Sequence, residues 1–402
     1  MLMLPSDDNL KYVIGDPAFF SGRPLRPFDT VVRTFLARLS KRLIADAATR
    51  SMPDVMSFAW WCRKSNIEQQ ALIYDDNILR IGRGLVFHVT PTNVPVNFAF
   101  SWVFSLLAGN ANVVRLPNRR FPQIEFLVQH IKRLLDEEPF GHISRMNVFV
   151  IYGHEDRINA AFSAIADARV LWGGDATIHT IRKFPQPARS VDICFANRYS
   201  FCILGAAQII ALEQSNLDRL VSRFFNDAYI MDQNACSSPR MVVWYGDKSQ
   251  AEQAGDRFWA TLRTIVEGRY ELTAISSVDK LMQACRDAIE LDCLSEMRRG
   301  DNRIYRIRLD SLPEDIIQRH CGSGYFYEYT THNLDQIAPI ITSSFQTLTY
   351  YGVSREELTS FVSKNQISGI DRIVPVGEAM DIGLVWDGYD LIRTLSRVCD
   401  IH

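Results

Sequence analysis

The feature that most constrains the fold is an alternation of short apolar runs and helical patterns between residues 78 and 204. The apolar runs are rich in β-branched and aromatic side chains, which is typical of buried strands. Strands that alternate with helices form a parallel sheet covered on both faces, so the sequence predicts an α/β fold. The predicted strands are 85–89, 112–116, 147–152, 169–172 and 201–204.

A second α/β unit is predicted from residue 216 onward. It begins with an amphipathic helix at 217–229 and a buried strand at 241–245. Before the first unit, apolar residues at helical spacing predict a helical layer that packs on the main body or on another subunit. The predicted regions are a helical N-terminal segment (1–75), a first α/β domain (76–215), a second α/β domain (216–368) and a C-terminal segment (369–402) that returns to the first domain or to an oligomer interface.

Composition excludes several classes of protein. A formal net charge of −2 gives no electrostatic reason to expect nucleic acid or an anionic membrane as a partner. From Gly84 to Val114 the chain has no Asp, Glu, Lys or Arg, but prolines such as Pro91 and Pro95 interrupt the segment. We interpret it as a buried strand, a loop and a buried helix, and predict no transmembrane span.

The eight cysteines form no CxxC pair and lie at no zinc-finger spacing to a histidine. The sequence therefore predicts no metal site. Because the N-terminus carries no recognisable secretory signal, we expect reduced thiols in the cytoplasm.

One cysteine, Cys236, is the candidate nucleophile. It is predicted in a loop between the helix at 217–229 and the strand at 241–245, and the residues from Asn234 to Ser238 are polar on both sides of it. A loop held by rigid elements can place a thiol accurately and still leave it reachable. The alternative interpretation is that Cys236 is a small buried hydrophobe, as most cytosolic cysteines are.

Two loops of the first unit are candidate ligand sites. Gly173-Gly174 follows a strand and opens a helix, so free N–H groups there suit a phosphate, although a plain turn is the alternative. The run from Arg115 to Arg120 contains three arginines and fits either a solvated turn or a clamp for the adenosine end of a cofactor. The GxGxxG fingerprint is absent from these loops, which counts against an ordinary Rossmann dehydrogenase.

These motifs, taken in order, resemble the aldehyde dehydrogenase superfamily, and within it the LuxC-type acyl-CoA (fatty acid) reductases. The resemblance covers roughly residues 75–400. The matching segments are Thr90-Pro91-Thr92-Asn93-Val94-Pro95, Leu107-Ala108-Gly109-Asn110, Arg115-Leu116-Pro117, Leu171-Trp172-Gly173-Gly174, Arg198-Tyr199-Ser200-Phe201, residues 232–239 around Cys236, residues 369–377 and Trp386-Asp387-Gly388.

The resemblance implies a fold and a set of site residues. The fold is an aldehyde dehydrogenase-like pair of parallel-sheet α/β domains, the first binding a nicotinamide cofactor and the second carrying Cys236. Asn93 and the Cys236 backbone N–H would hold the oxyanion. The implied cofactor-binding residues are Thr90, Pro91, Thr92, Arg115, Pro117, Arg119, Gly173, Gly174 and Thr177.

The chain departs from the superfamily pattern in two places. Arg115 stands where the superfamily has a cofactor lysine, so the charge is kept and the geometry differs. No glutamate occurs at 192–197, where hydrolytic members place their water-activating base, and Asp192 lies too early in the strand to replace it. The absence of that base suits an enzyme that reduces a thioester instead of hydrolysing it.

The resemblance implies NADPH-dependent reduction of a fatty acyl-CoA, or of an acyl group delivered by a partner protein, to the aldehyde. Arg119 and Arg120 favour NADPH over NADH, which is the alternative cofactor. An acyl-protein synthetase is the implied partner, and a homo-oligomer is expected. The alternatives are an oxidising or CoA-acylating aldehyde dehydrogenase and, from a different class, a non-catalytic scaffold of the same fold.

Overall fold

The computed structural model describes residues 3–91 and 94–401, which form two compact units. The first unit runs to Ala196 and includes the chain from Tyr389 onward, and the second is Asn197–Gly388.

The strands are β1 (Lys11–Ile14), β2 (Arg80–Gly82), β3 (Leu85–Val89), β4 (Ala111–Arg115), β5 (Asn147–Ile151), β6 (Ala168–Trp172), β7 (Val191–Phe195), β8 (Tyr199–Gly205), β9 (Pro239–Tyr245), β10 (Leu294–Arg299), β11 (Tyr305–Leu309), β12 (Tyr325–Thr331), β13 (Phe345–Tyr351), β14 (Arg372–Pro375), β15 (Val385–Trp386), β16 (Tyr389–Asp390) and β17 (Ser396–Val398). The α-helices are α1 (Thr30–Ala45), α2 (Pro53–Trp61), α3 (Lys64–Ile73), α4 (Asn97–Leu107), α5 (Pro122–Leu135), α6 (Gly141–Arg145), α7 (Asp156–Ile165), α8 (Asp175–Arg182), α9 (Ala206–Ile210), α10 (Gln214–Tyr229), α11 (Lys248–Arg269), α12 (Ala274–Glu290), α13 (Arg355–Lys364) and α14 (Leu391–Thr394).

The sheet of the first unit has the order β1-β5-β4-β3-β6-β7. All neighbours are parallel except the edge strand β1, which pairs antiparallel with β5. The chain adds β4 and β5 on one side of β3 and then crosses back to place β6 on the other side. The strand order therefore reverses at β3, which opens a crevice at the carboxyl ends of β3 and β6.

Helix α4 is buried on all sides, from Phe98 to Leu107, which explains its lack of charged residues. Helix α1 turns its apolar face inward, and Phe35 packs edge-on against Trp102 and Phe140. The uncharged segment is thus an internal strand and helix, as predicted. Within the described part of the chain, no helix is long and apolar enough to cross a membrane.

The sheet of the second unit has the order β10-β11-β12-β9-β8-β13-β14. Only the edge strand β10 is antiparallel to its neighbour. Two apolar layers cover the sheet, one centred on Phe224, Phe258 and Phe326 and the other on Tyr199, Ile307 and Phe345. The predicted α/β class with two parallel sheets is confirmed in both units.

The observed units divide the chain differently from the predicted regions. The run at 201–204 reads as one more strand of the first series, but β8 pairs with β9 and β13 in the second sheet. The position beside β6 is taken instead by β7, where Arg169 and Asp192 lie opposite each other and form an ion pair. The boundary consequently falls after Ala196 and not after residue 215, because an apolar run does not specify the sheet that it joins.

The two termini also join these units. The N-terminal helices belong to the first unit, together with β1, which the sequence did not predict. The predicted C-terminal segment is divided after Gly388. Its first part supplies β14 to the second sheet, and its last part supplies β17, which pairs antiparallel with β2.

Candidate functional site

Cys236 lies in a loop that ends α10 abruptly. Asp232 and Gln233 follow the helix with φ angles of 51° and 56°, the left-handed region that few non-glycine residues adopt. The Gln233 N–H still donates to the Ala228 carbonyl at 2.8 Å, as a helix end requires. The chain therefore turns within two residues and leads to Cys236 just before β9.

The side chain of Gln233 fixes this loop to the next strand. Its Oε1 accepts from the backbone N–H groups of Gly324 and Tyr325 at 2.7 and 3.0 Å. Its Nε2 donates to the carbonyls of Pro239 and Tyr325 at 3.0 and 3.2 Å. The amide is buried and fully bonded, so it holds the loop against the start of β12.

Ser200 and Ser238 fix the main chain on either side of the thiol. The Ser200 hydroxyl, on β8, donates to the Cys236 carbonyl at 2.6 Å and accepts from the Thr347 N–H of β13 at 3.1 Å. The Ser238 hydroxyl donates to the Asp227 carbonyl at 2.7 Å. Cys236 is thus held at the amino ends of the central strands of its sheet.

The thiol of Cys236 is protonated at neutral pH. The residue is partly exposed, yet burial of the thiol, together with the Asp387 carboxylate, raises its pKa to about 11. A hydrogen bond from the Gln346 side chain and the positive charge of Arg240 act in the opposite direction. The thiol therefore sits between groups that oppose and groups that favour its ionisation.

Asp387 is joined to the thiol through Gln346, whose Nε2 donates to the Asp387 carboxylate. Burial raises the pKa of Asp387, while Gln346 and Arg198 lower it. The Arg198 guanidinium lies 3.8 Å from Asp387 and also pairs with Asp371. A Cβ on Gly388, whose φ is 75°, would lie 2.8 Å from the Asp371 carboxylate, so the turn requires glycine here.

Two residues that act on the thiol each carry a buried polar atom with no hydrogen-bond partner among the described residues. Such atoms are rare in folded proteins, and at a reactive group they indicate a ligand that completes them. These atoms are Arg240 Nε and Gln346 Oε1.

The turn after β14 is anchored to the last turn of α10, which precedes the thiol loop. The Asp227 carboxylate accepts from the N–H groups of Gly377 and Ala379 at 2.6 and 3.0 Å. Burial raises the pKa of Asp227 to about 6, against these two hydrogen bonds. Next to Cys236, the Ser237 hydroxyl lies 3.7 Å from the sulfur of Met380. The sequence motif at 369–377 thus leads into a turn that packs beside the thiol loop.

The predicted cofactor residues of the first unit gather at one edge of its sheet. Thr90 and Pro91 follow β3, Pro117 follows β4, and Gly173 follows β6, so all lie at the carboxyl ends of adjacent parallel strands. The Thr90 hydroxyl donates to the Arg115 carbonyl at 2.7 Å, which ties the ends of β3 and β4 together. This edge includes the crevice where such sheets bind nucleotides.

The Arg115 side chain makes contacts within the protein that the prediction did not include. Its guanidinium donates to the Gly153 carbonyl at 2.6 Å and stacks 4.6 Å from the centre of the Tyr152 ring. Arg119 and Arg120 are exposed in the loop after β4. The Arg119 guanidinium lies 5.0 Å from the centre of the Phe121 ring, so the exposed positive charge of this loop is carried by Arg119 against that ring and by Arg120.

Gly173 and Gly174 lead from β6 into α8. Gly174 is the N-cap residue in extended conformation, and no side chain caps the helix. Thr177, exposed in the first turn, lies 3.4 Å from where a Gly173 Cβ would be. A helix N-terminus at the strand-order reversal fits the phosphates of a dinucleotide. The residues present thus fit a nicotinamide cofactor, although Asp175 adds a negative charge to the first turn.

Two further predictions concern individual residues. Thr92 and Asn93 lie outside the described residues, so the proposed oxyanion role of Asn93 stays a prediction. Asp192 is held by Arg169, whose Nε and Nη2 donate to it at 2.7 and 2.8 Å, which agrees with the expectation that it does not replace the missing base. His88 is buried between Ser101 and Asn112, and burial lowers its pKa to about 4.

Sequence reasoning missed four residues of the Cys236 site. Ser200 and Asp387 lie in motifs that carried the family resemblance, but no role was assigned to them. Gln346 and Arg240 had no signal except that each is a polar side chain within an apolar strand pattern. Ser200, Arg240 and Gln346 come together only through the strand order of β8, β9 and β13, and Asp387 reaches Gln346 from the turn after β15.

The fold is that of the aldehyde dehydrogenases. An NAD-dependent benzaldehyde dehydrogenase from Corynebacterium glutamicum superposes with a TM-score of 0.61 and 11% identity, over 91% of this chain and 84% of that one. Proline utilization A from Bdellovibrio bacteriovorus gives a TM-score of 0.61 and 14% identity, over 93% of this chain and 43% of that one. The predicted aldehyde dehydrogenase-like architecture is confirmed.

The family model for acyl-CoA reductase (LuxC) matches residues 74–398. The chain belongs to this family. A long-chain acyl-protein thioester reductase from Vibrio harveyi is 23% identical over 339 residues, covering 79% of this chain. The match spans 63% of the length of that relative.

Proposed function

We propose that this protein reduces a fatty acyl thioester to the aldehyde with a nicotinamide cofactor, through an acyl group carried on Cys236. The observation that carries the proposal is the fixed thiol of Cys236, which accepts a hydrogen bond from Gln346 and is influenced by Gln346 and Arg240, two residues that each carry a buried polar atom without a partner among the described residues. A core cysteine needs neither feature. Membership in the acyl-CoA reductase family supports the same reaction.

The first step is acyl transfer to the protein. The Cys236 thiol loses its proton and attacks the carbonyl carbon of the thioester, and the carrier leaves as a thiol that takes up a proton. Gln346 donates a hydrogen bond to the sulfur, and Arg240 adds a positive charge, so both favour the thiolate. Asn93 and the Cys236 N–H are the expected donors to the oxyanion, each worth about 3 kcal/mol in the transition state.

The second step is reduction of the Cys236 thioester, for which a nicotinamide cofactor, when bound, would supply the hydride. Thr90, Pro117, Gly173 and Gly174 would hold the cofactor at the crevice of the first sheet. Collapse of the resulting thiohemiacetal on Cys236 releases the aldehyde and restores the thiol. The absence of a glutamate at 192–197 favours reduction over hydrolysis of the thioester.

The cofactor we propose is NADPH. Arg119 and Arg120 lie exposed after β4, at the edge that fits a dinucleotide, and guanidinium groups bind a 2′-phosphate well. As acyl donor we propose acyl-CoA or an acylated partner protein. The named relative acts on acyl-protein thioesters, which supports the second source.

The test is an assay of NADPH oxidation with acyl-CoAs of increasing chain length, for wild type and Cys236→Ala. We expect aldehyde as product and loss of all turnover in the variant. Wild type incubated with acyl-CoA and no cofactor should gain the mass of one acyl group on the peptide that contains Cys236. Cys399→Ser, a thiol of the other unit, is the control and should keep full activity.

Each alternative has its own outcome in this assay. Turnover that survives in Cys236→Ala would refute the covalent route. Oxidation of a free aldehyde with NAD and CoA, without reduction of any thioester, would indicate the CoA-acylating dehydrogenase. Absence of nucleotide binding would indicate the scaffold. Turnover only with an acylated protein would identify that donor as the substrate.

A further inference from the structure

Helix α12 buries charged residues and exposes apolar ones, which is the reverse of an ordinary surface helix. An amphipathic helix normally turns its apolar stripe to the core and its charges to solvent. In α12 the buried positions include the charged residues Lys280 and Asp287, together with Ala284. The large apolar residues Ile275, Val278, Leu281, Met282 and Ile289 are exposed instead.

The charged residues attach α12 firmly to its own unit. The Lys280 ammonium donates to the Ser323 carbonyl at 2.7 Å and also to the Asn302 carbonyl. The Asp287 carboxylate accepts from the hydroxyls of Tyr325 and Tyr327 at 2.6 and 2.7 Å. With these groups buried and bonded, the helix cannot rotate to hide its apolar face, so that face is a built feature of the surface.

The exposed apolar side chains follow a coiled-coil spacing. Ile275, Val278, Met282, Cys285 and Ile289 stand at i, i+3, i+7, i+10 and i+14, the pattern of two heptads with apolar a and d positions. The side chains at 275, 282 and 289 are 66%, 62% and 84% exposed. A seam of this kind fits one partner, another helix.

We propose that α12 pairs with α12 of a second copy of this chain, in antiparallel orientation, and so forms a two-fold symmetric dimer. In that arrangement Val278 lies level with Ile289 of the second copy, and Met282 lies level with Cys285 of the second copy. The same contacts recur with the two copies exchanged, as a two-fold interface requires.

The residues that flank the seam select the antiparallel orientation. Asp279 and Arg286 lie on one side of it, and Leu281 and Ala288 lie on the other. In an antiparallel pair, the side of one helix that carries Asp279 and Arg286 faces the same side of the other helix in reverse order. Asp279 of each copy therefore meets Arg286 of the other copy. In a parallel pair, Asp279 and Arg286 would instead face the side of the partner that carries Leu281 and Ala288. Neither charged residue would then meet a residue of the other sign.

The same charges argue against a membrane as the occupant. Helices that lie on anionic membranes carry lysine and arginine along both flanks of the apolar face. Here one acidic and one basic residue share a flank, at the spacing that matches a second copy of the helix. The charge pattern is therefore complementary to itself.

The test is sedimentation velocity on the full chain. We expect a dimer for wild type and a monomer for Ile289→Asp, with an unchanged circular dichroism spectrum because the side chain is exposed. Asp279→Arg should weaken the dimer about tenfold, and Asp279→Arg combined with Arg286→Asp should restore it. A short bismaleimide should join wild-type chains through Cys285 and fail with Cys285→Ser.

Three outcomes would overturn the proposal. One is a monomeric wild type, even if it binds liposomes or another protein through this face. Another is a dimer that persists in Ile289→Asp. The third is a double charge variant that dimerises no better than Asp279→Arg alone, since this would remove the evidence for the antiparallel register.

Discussion

The two units place their candidate sites at opposite ends of their strands. The cofactor loops of the first unit follow the carboxyl ends of β3, β4 and β6, whereas Cys236 of the second unit precedes the amino end of β9. The first edge offers exposed arginines and an uncapped helix. At the amino-end site of the second unit, buried side chains form a network of hydrogen bonds with the backbones of the strands.

This difference matches what each site would have to do. A dinucleotide is held by many weak contacts, so flexible arginines and backbone N–H groups are sufficient. A nucleophile must be positioned to within a fraction of an ångström, which requires a supporting shell of locked side chains. Gln233 and Ser200 supply that shell in the second unit, and the loops of the first unit have less of it.

The largest effect that tests the contrast is the pH dependence of Cys236 reactivity. With a thiol pKa of about 11, the thiolate fraction rises about tenfold for each pH unit between 7 and 10. We expect the rate of iodoacetamide addition to Cys236, followed by peptide mass spectrometry, to rise about a thousandfold over that range. A short unstructured peptide with one internal cysteine, whose thiol pKa is about 8.5, should level off earlier. If the alkylation rate of Cys236 reached a plateau below pH 9, this would contradict a thiol whose ionisation is opposed by burial and by Asp387.

The next effect concerns the rigidity of the thiol loop. Gln233→Ala leaves the N–H groups of Gly324 and Tyr325 and the Pro239 carbonyl buried without their partner, which should lower the free energy of unfolding by about 3 kcal/mol. Urea unfolding measures this change. Gln253→Ala, on the exposed face of α11, is the matched control and should change stability by less than about 0.5 kcal/mol. Equal effects of the two substitutions would mean that the loop is not held as described.

A smaller effect is expected at the open edge of the first unit. If Arg119 and Arg120 bind the 2′-phosphate, replacing both with alanine should raise the KM for NADPH about tenfold and leave the KM for NADH unchanged. Steady-state kinetics with both cofactors measures the difference. Arg133→Ala, on exposed α5, is the control. An equal loss with both cofactors would show that the arginines do not read the 2′-phosphate.

The first unit was also the more predictable from sequence. Its strands alternate with helices in chain order, and the rule that ligands bind at the carboxyl ends of such strands led to Gly173 and Arg115, whereas Thr90 came from the family resemblance. Cys236 was found from its polar loop and the family resemblance. Gln346 and Asp387 could not be found, because 110 residues separate Cys236 from Gln346 and only the strand order joins β9 to β13 through β8. The rule that ligands bind at the carboxyl ends of parallel strands does not predict which residues meet at the amino ends of those strands.

The smallest effect separates two opposed influences on the same thiol. Asp387→Asn removes a negative charge that raises the Cys236 pKa, so alkylation at pH 8 should become a few-fold faster. Gln346→Met keeps the volume but removes the hydrogen bond that lowers that pKa, so alkylation should become a few-fold slower. Because damage to packing would shift both variants in the same direction, opposite changes with similar Tm values would identify an electrostatic cause. Changes of the same sign would mean that the carboxylate and the amide act on the loop, and not on the ionisation of the thiol.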